Sequence, residues 1–214
     1  MNDKVIISHM TPEPVPLLRP PRLLLFCLGL LSSFSSLADD TKDKIRYLEE
    51  SRPVASGFIQ QLGGEVKREF LAKGPEAALK VCTERAPELA KSLSDKHGWR
   101  ISRVSLKPRN LILGTPDAWE QRVITTFEQR AFQGENPQNI EYGDVVSELG
   151  GRSYRYMKAL TMQDVCIACH GTSEKINPGV KKQVDIDYPH DKAIGYQPGQ
   201  IRGAVTIKRP LSNE

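Results

Sequence analysis

The chain has 214 residues, of which 39% are hydrophobic and 26% charged, and its formal net charge is +4. A net charge this small, with no basic stripe interleaved with aromatic residues, excludes nucleic-acid binding as the main function. The length is sufficient for one domain with a hydrophobic core after removal of a targeting segment.

The first predicted element is an export signal peptide over residues 1–38. Basic residues in Arg19–Arg22 precede an apolar run, Leu23–Leu31, and a Ser-rich stretch follows. Small residues at Ser36 and Ala38 predict cleavage after Ala38. The alternative is an uncleaved membrane anchor, although the apolar run is short for a bilayer span and serines follow it directly.

Cleavage there leaves residues 39–214 as the mature domain, which we expect to be periplasmic. No later apolar run predicts stable membrane insertion. The chain contains two methionines near its beginning, so the sequence leaves open whether translation starts at Met1 or at Met10.

Two helices are predicted at the start of the mature domain. Apolar residues at helical spacing predict a helix over Thr41–Lys73, either continuous or broken near Pro53. Gly74-Pro75 ends it and begins a second helix over Pro75–His97, which Gly98 terminates.

Strands and one further helix follow. Trp99–Leu106 is predicted to be a strand, and Pro116–Gln133 a helix with Thr115 as its N-cap. Strands are predicted over Tyr142–Met162, with a hairpin turn at Gly150-Gly151. Asn177–Gln200 has the composition of a long loop, and Ile201–Lys208 alternates like a half-buried strand. This order predicts an α+β fold with helices packed on a small antiparallel sheet.

The most specific motif is Cys166-Ile167-Ala168-Cys169-His170, which has the C-x-x-C-H spacing of a c-type haem attachment site. Both thiols would form thioether bonds to the porphyrin, and the adjacent imidazole would bind the iron. A thioredoxin-like redox pair is an alternative, but it requires a βαβ context. A zinc site is a second alternative, but the chain has no second C-x-x-C.

The motif does not specify the sixth ligand of such an iron. Residues with suitable side chains are Cys82, Met157, Met162, His97 and His190. Cys82 lies on one face of the second predicted helix and is either a buried structural thiol or an axial thiolate. In the second case Lys80 and Arg85, which flank it, could help to hold a thiolate.

A set of short motifs, in order along the mature chain, resembles the exported single-haem c-type cytochromes with a PAS-like haem-binding domain. These motifs are Val81-Cys82, Ala86-Pro87, Arg103–Lys107, Arg109-Asn110, Pro116–Glu120, Tyr154–Met157, Cys166–Gly171, Gly195-Tyr196 and Arg202–Ala204.

The resemblance implies a PAS-like antiparallel sheet and one covalent haem c. The motif cysteines Cys166 and Cys169 would hold it, with His170 and Cys82 as axial ligands. It also implies a redox or sensory role, and by analogy a homodimer through the long N-terminal helix.

We therefore expect a periplasmic monohaem cytochrome that acts in electron transfer, with redox partner proteins, or as a redox sensor. A gas-sensing haem module and a peroxidase-like haem enzyme are the alternatives, and no paired distal His/Arg motif favours an enzyme. Side chains that could pair with the haem propionates are Arg103, Arg109, Arg155 and Arg202.

Overall fold

The computed structural model of this protein describes residues 26–212, with side chains from residue 41 onward. The chain divides into two compact units, Met1–Asp40 and Thr41–Glu214, and the second contains the sheet. The predicted signal peptide and its cleavage site lie outside the residues whose side chains are described. Among the described residues, no helix is long and apolar enough to cross a bilayer.

Helices form most of the described chain before the first strand and recur between the later strands. Their bounds are α1 Phe26–Lys73, α2 Pro75–Lys80, a π-helical turn Val81–Arg85, α3 Ala86–His97, α4 Leu111–Gly114, α5 Ala118–Phe132, α6 Ile167–His170 and α7 Pro178–Asp187. The strands are β1 Arg100–Val104, β2 Glu141–Glu148, β3 Gly151–Thr161 and β4 Ile201–Pro210.

The four strands form one antiparallel sheet in the order β1-β4-β3-β2. Its two faces are covered by different helices. On one face Phe58 and Leu62 of α1 pack against Tyr156 and Ile207. On the other face α5 packs against Met157 and other residues of the sheet. The predicted α+β fold, an antiparallel sheet with the long N-terminal helix packed on it, is confirmed.

Burial on both faces corrects one expectation about β4. The sequence predicted a half-buried strand, whereas nearly all of Ile201–Ile207 is buried. Polar side chains of β4 find hydrogen-bond partners within the fold. Thr206, for example, donates a hydrogen bond to Glu120 of α5 over 2.9 Å. Polarity in a strand therefore does not by itself indicate contact with solvent.

Three boundaries also differ from the predicted ones. The N-cap of α5 is Asp117, in a capping box with Glu120, and not Thr115. The hairpin turn is Leu149-Gly150, one residue earlier than predicted, because Glu148 pairs with Gly151. The predicted loop 177–200 contains helix α7, whose first turn is capped by the Asn177 side chain.

Gly203 is the glycine that the sheet depends on most. Its φ is +153°, and a Cβ there would lie 2.2 Å from the carbonyl oxygen of Val104. We expect Gly203→Ala to lower the free energy of unfolding by about 2–4 kcal/mol, since backbone would have to move. Chemical denaturation measures this change.

Gly64→Ala on α1 is the matched control, because nothing lies within 4 Å of a Cβ there. It should stabilise the helix by about 0.5–1 kcal/mol. Equal unfolding free energies for the two variants would contradict the assigned role of Gly203.

Candidate functional site

The C-x-x-C-H motif folds as a tight double turn. Cys166 ends a 3₁₀ turn, and α6 carries the next four residues through His170. Both motif thiols are free of disulfide bonds and half-buried. Gly171 closes the turn by donating its N–H to the Ile167 carbonyl over 2.8 Å, and a Cβ at Gly171 would lie 2.7 Å from that oxygen. The glycine is therefore required by close packing at the end of the motif.

The imidazole of His170 is held in one orientation. Its Nδ1 lies 2.7 Å from the carbonyl oxygen of Ala193. A carbonyl only accepts hydrogen bonds, so Nδ1 carries the proton and Nε2 keeps a free lone pair. Burial, aided by the positive charges of Arg109 and Arg202, moves the pKa of His170 well below its usual value. The ring is therefore neutral and suited to binding a metal ion through Nε2.

A segment over residues 191–196, here called the strap, fixes that carbonyl. Tyr196 donates its N–H to the His170 carbonyl over 2.9 Å, and Gly195 donates to Gly171 over 2.8 Å. The Asp191 side chain accepts the N–H of Ala193 over 2.8 Å. These hydrogen bonds fix the strap against the backbone of His170 and Gly171. The orientation of the imidazole therefore depends on backbone hydrogen bonds as well as on side-chain packing.

Arg109 anchors the strap to the motif. Its Nε and Nη2 donate to Asp191 Oδ2 over 3.1 and 2.9 Å, and Nη2 also donates to the Cys169 carbonyl over 2.6 Å. The two side chains are 10% and 9% exposed. Arg109 therefore has a structural partner, and it links three segments that are far apart in sequence.

Cys82 lies in the π-helical turn Val81–Arg85, between α2 and α3. Helix α2, which leads into this turn, contacts α6 of the motif, and a negative charge at Cys82 would raise the pKa of both motif cysteines. Arginines that act on the pKa of His170 act on Cys82 as well. The fold therefore brings residue 82 to the motif at residues 166–170, across much of the chain.

All three thiols are protonated at neutral pH. Burial raises the pKa of Cys82 and of Cys166, and it raises that of Cys169 to about 11. For Cys82, Arg103 is the strongest opposing influence. The expected helpers are elsewhere: Lys80 is exposed, and Arg85 pairs with Glu65 and Glu88. A thiolate at Cys82 therefore requires a bound metal ion to displace its proton.

Two other arginines at the site have no carboxylate partner among the described side chains. Arg103 donates from Nη2 to the Cys82 carbonyl over 3.2 Å. Arg202 donates from Nη1 to Ser105 Oγ over 2.6 Å and to the Lys107 carbonyl over 3.1 Å. Burial lowers the pKa of both guanidinium groups. Two partly buried cations that lack a carboxylate hydrogen-bond partner favour an anionic occupant beside them.

Arg155 does not join this group. It is 4% exposed and pairs with Asp117 at 2.7 Å, Glu120 at 3.1 Å and Glu148 at 3.0 Å. Its guanidinium also stacks on Trp119, with 4.5 Å to the ring centroid. The structure therefore places Arg155 in an ion-pair cluster with α5, apart from the other three arginines.

The other candidates for a second axial ligand lie in the core, against another ring or at the surface. Met157 and Met162 are 0% and 3% exposed, and Met157 packs under α5. His97 stacks on Trp99 at a centroid distance of 4.9 Å, and His190 is exposed. Cys82 is the candidate whose charge acts on the pKa of both motif cysteines.

The alternative chemistries find no support in the described part of the chain. No group of three or more His, Cys, Asp or Glu side chains there could hold a metal ion unaided. The antiparallel sheet also lacks the βαβ unit that a thioredoxin-like pair requires.

Sequence reasoning missed the residues that act through backbone or through other residues. The Ala193 carbonyl orients His170, Asp191 holds both Arg109 and Ala193, and Ser105 holds Arg202. The Gly195-Tyr196 motif was the available signal for the strap, because it follows Ala193 closely.

Comparisons with known proteins agree with this architecture. The model of the Tll0287-like family matches residues 30–210. A crystal structure of the cyanobacterial heme-protein Tll0287 superposes with a TM-score of 0.59 at 21% identity, covering 78% of this chain and 98% of that chain. No curated protein matches the sequence. At this identity the structural match shows a shared fold.

Proposed function

The chain belongs to the Tll0287-like family, and we propose that it binds one covalently attached haem c and acts as an exported redox protein. The observation that carries this proposal is that the helix leading to Cys82 contacts the C-x-x-C-H motif, whose His170 is neutral and oriented by the Ala193 carbonyl. A relative of the same fold, Tll0287, is a heme-protein.

The residues present fit a haem in three respects. Two free, half-buried thiols have the spacing that thioether attachment needs. The Nε2 lone pair of His170 is available, because Nδ1 donates to Ala193. Cys82 can supply a second axial ligand from a separate helix, and a metal ion would displace its proton.

Each residue then has a distinct part in holding the group. Cys166 and Cys169 would attach the porphyrin, and His170 would bind the iron on one side. Cys82 would bind it as thiolate, an electron-rich ligand that favours the ferric state. Arg103 and Arg202 would neutralise the propionates, because both are partly buried cations that hydrogen-bond to no carboxylate among the described residues.

A bound haem supplies a one-electron couple between ferric and ferrous iron. If both His170 and Cys82 held the iron, no coordination position would remain for a substrate, which would favour electron transfer or redox sensing over catalysis. An electron carrier of this kind requires redox partner proteins. The N-terminal signal pattern supports a periplasmic location, and a mature protein that begins at Asp39.

Covalent attachment has a direct test. The protein, expressed with a periplasmic haem-maturation system, should keep its haem through acid–acetone extraction, because thioether bonds survive denaturation. The control variant Cys166→Ala/Cys169→Ala should release any haem it binds into the acetone. Haem that leaves the unchanged protein in acetone would contradict the proposal.

A further inference from the structure

The helix that carries Cys82 changes its hydrogen-bond pattern at this residue. The N–H of Ala86 bonds to the carbonyl of Val81, five residues earlier, instead of to Cys82 four residues earlier. Regular α-helix precedes this turn and follows it. Single π-helical turns of this type are rare and are frequent at functional sites.

Pro87 supplies the physical cause of the turn. A proline inside a helix has no N–H to donate, and its ring clashes with the carbonyl four residues earlier. That carbonyl belongs to Thr83. A wider turn over Val81–Arg85 relieves this clash, and the helix continues beyond it through α3.

This arrangement leaves the Cys82 carbonyl without a donor in its own helix. The α-helical donor would be Ala86, whose N–H is already bonded to Val81. The π-helical donor would be Pro87, which has no N–H. Arg103 on β1 fills the vacancy, with Nη2 at 3.2 Å from the Cys82 oxygen. Pro87 thus leaves the Cys82 carbonyl without a donor from its own helix, and Arg103 of the sheet donates a hydrogen bond to it.

We propose that Pro87 and Arg103 are positioning residues for Cys82: Pro87 imposes the widened turn, and Arg103 ties that turn to the sheet so that the thiol faces the C-x-x-C-H motif. The proposal rests on the proposed function in one respect, since it takes Cys82 as the iron ligand. It assigns Arg103 a role through the backbone of Cys82 in addition to its charge.

The expected consequence follows from helix geometry. A change of one residue in helix register rotates side chains by about 100° around the axis, which would turn the thiol away from the motif. A small backbone change at this turn therefore decides whether sulfur reaches the iron. Neither residue needs to touch the haem for this effect.

The first test is Pro87→Ala, read by the near-infrared sulfur-to-iron charge-transfer band of the ferric protein. The alanine introduced there can donate its N–H to the Thr83 carbonyl, so the α-helical register becomes available. The variant should lose most of the band while retaining covalent haem. Pro178→Ala is the matched control and should keep the band, because Pro178 occupies the first turn of α7, where no helical N–H bond is at stake.

The second test separates positioning from propionate binding. The glutamine of Arg103→Gln is too short to replace the bond to the Cys82 carbonyl, so this variant should weaken the band, whereas Arg103→Lys retains a long cationic donor and should preserve much of it. A residue that only pairs with a propionate would shift the potential and leave the band unchanged. Since Arg103→Gln changes a strand side chain, it remains informative if Pro87→Ala fails to fold.

Cys82→Ala, measured in parallel, separates the assignment of Cys82 as ligand from the proposal about how Cys82 is positioned. If Cys82→Ala removes the band but Pro87→Ala or Arg103→Gln leaves it at full strength, the positioning proposal is overturned and Cys82 remains the ligand. If Cys82→Ala leaves the band unchanged, the assignment of the ligand is itself wrong. The proposal is supported if the band is lost in Cys82→Ala, Pro87→Ala and Arg103→Gln, but is kept in Pro178→Ala and largely kept in Arg103→Lys.

Discussion

Cys82→Ala should convert a low-spin ferric haem protein into one that is high-spin or bound to another ligand, and it should remove the near-infrared charge-transfer band. The physical reason is loss of the thiolate, which donates electron density and stabilises ferric iron. The reduction potential should rise by a sizeable part of the ~0.8 V range that axial ligands span in haem proteins. Optical spectra and a spectroelectrochemical titration measure both effects.

Cys82→Met provides the matched comparison, because it keeps a sulfur of similar reach without the negative charge. It should also raise the potential. Covalent attachment should survive in both variants, since Cys166 and Cys169 are unchanged. A ferric spectrum that is the same in Cys82→Ala as in the original protein would return Cys82 to the role of a buried structural thiol.

Asp191→Ala should be the most destabilising change in the strap. It leaves the buried Arg109 guanidinium without its carboxylate partner and frees the Ala193 N–H. Breaking a buried pair in this way costs about 3–5 kcal/mol. Chemical denaturation measures the loss. The variant should also broaden the ferric spectrum, because the Ala193 carbonyl no longer holds His170 in one orientation.

Glu135→Ala is the control for that variant. Glu135 also pairs with an arginine through two hydrogen bonds, to Arg130, but the two side chains are 40% and 32% exposed. Such a surface pair contributes about 1 kcal/mol or less. If Asp191→Ala and Glu135→Ala lowered the free energy of unfolding equally, the role assigned to the strap would be contradicted.

The sequence was sufficient for the parts of the site whose chemistry is local. The C-x-x-C-H spacing lies within five consecutive residues, whereas the helix pattern left Cys82 open between a structural thiol and a ligand, and the ligand role came from the family resemblance of Val81-Cys82. The order of elements predicted the α+β fold for the same reason, because hydrophobic period and turn residues act over short distances.

Interactions between distant segments were not predictable in this way. Arg155 and Arg202 look alike as basic residues on strands, yet one faces three carboxylates and the other a hydroxyl and a carbonyl. The hydrogen bond from His170 to Ala193 crosses 23 residues, and no side-chain type marks a carbonyl acceptor. Pro87 is evident in the sequence, but its effect on the Cys82 carbonyl depends on the hydrogen-bond pattern of the turn Val81–Arg85, which only the structure gives.

The central claim is that His170 and Cys82 bind one haem iron from its two sides. X-ray absorption at the iron K-edge of the ferric protein tests it most directly, because the fine structure counts the atoms bonded to iron. We predict one sulfur neighbour in addition to the nitrogens of the porphyrin and of His170. Cys82→Ala should lose that sulfur shell. A first shell of nitrogen or oxygen alone in the unchanged protein would contradict the account.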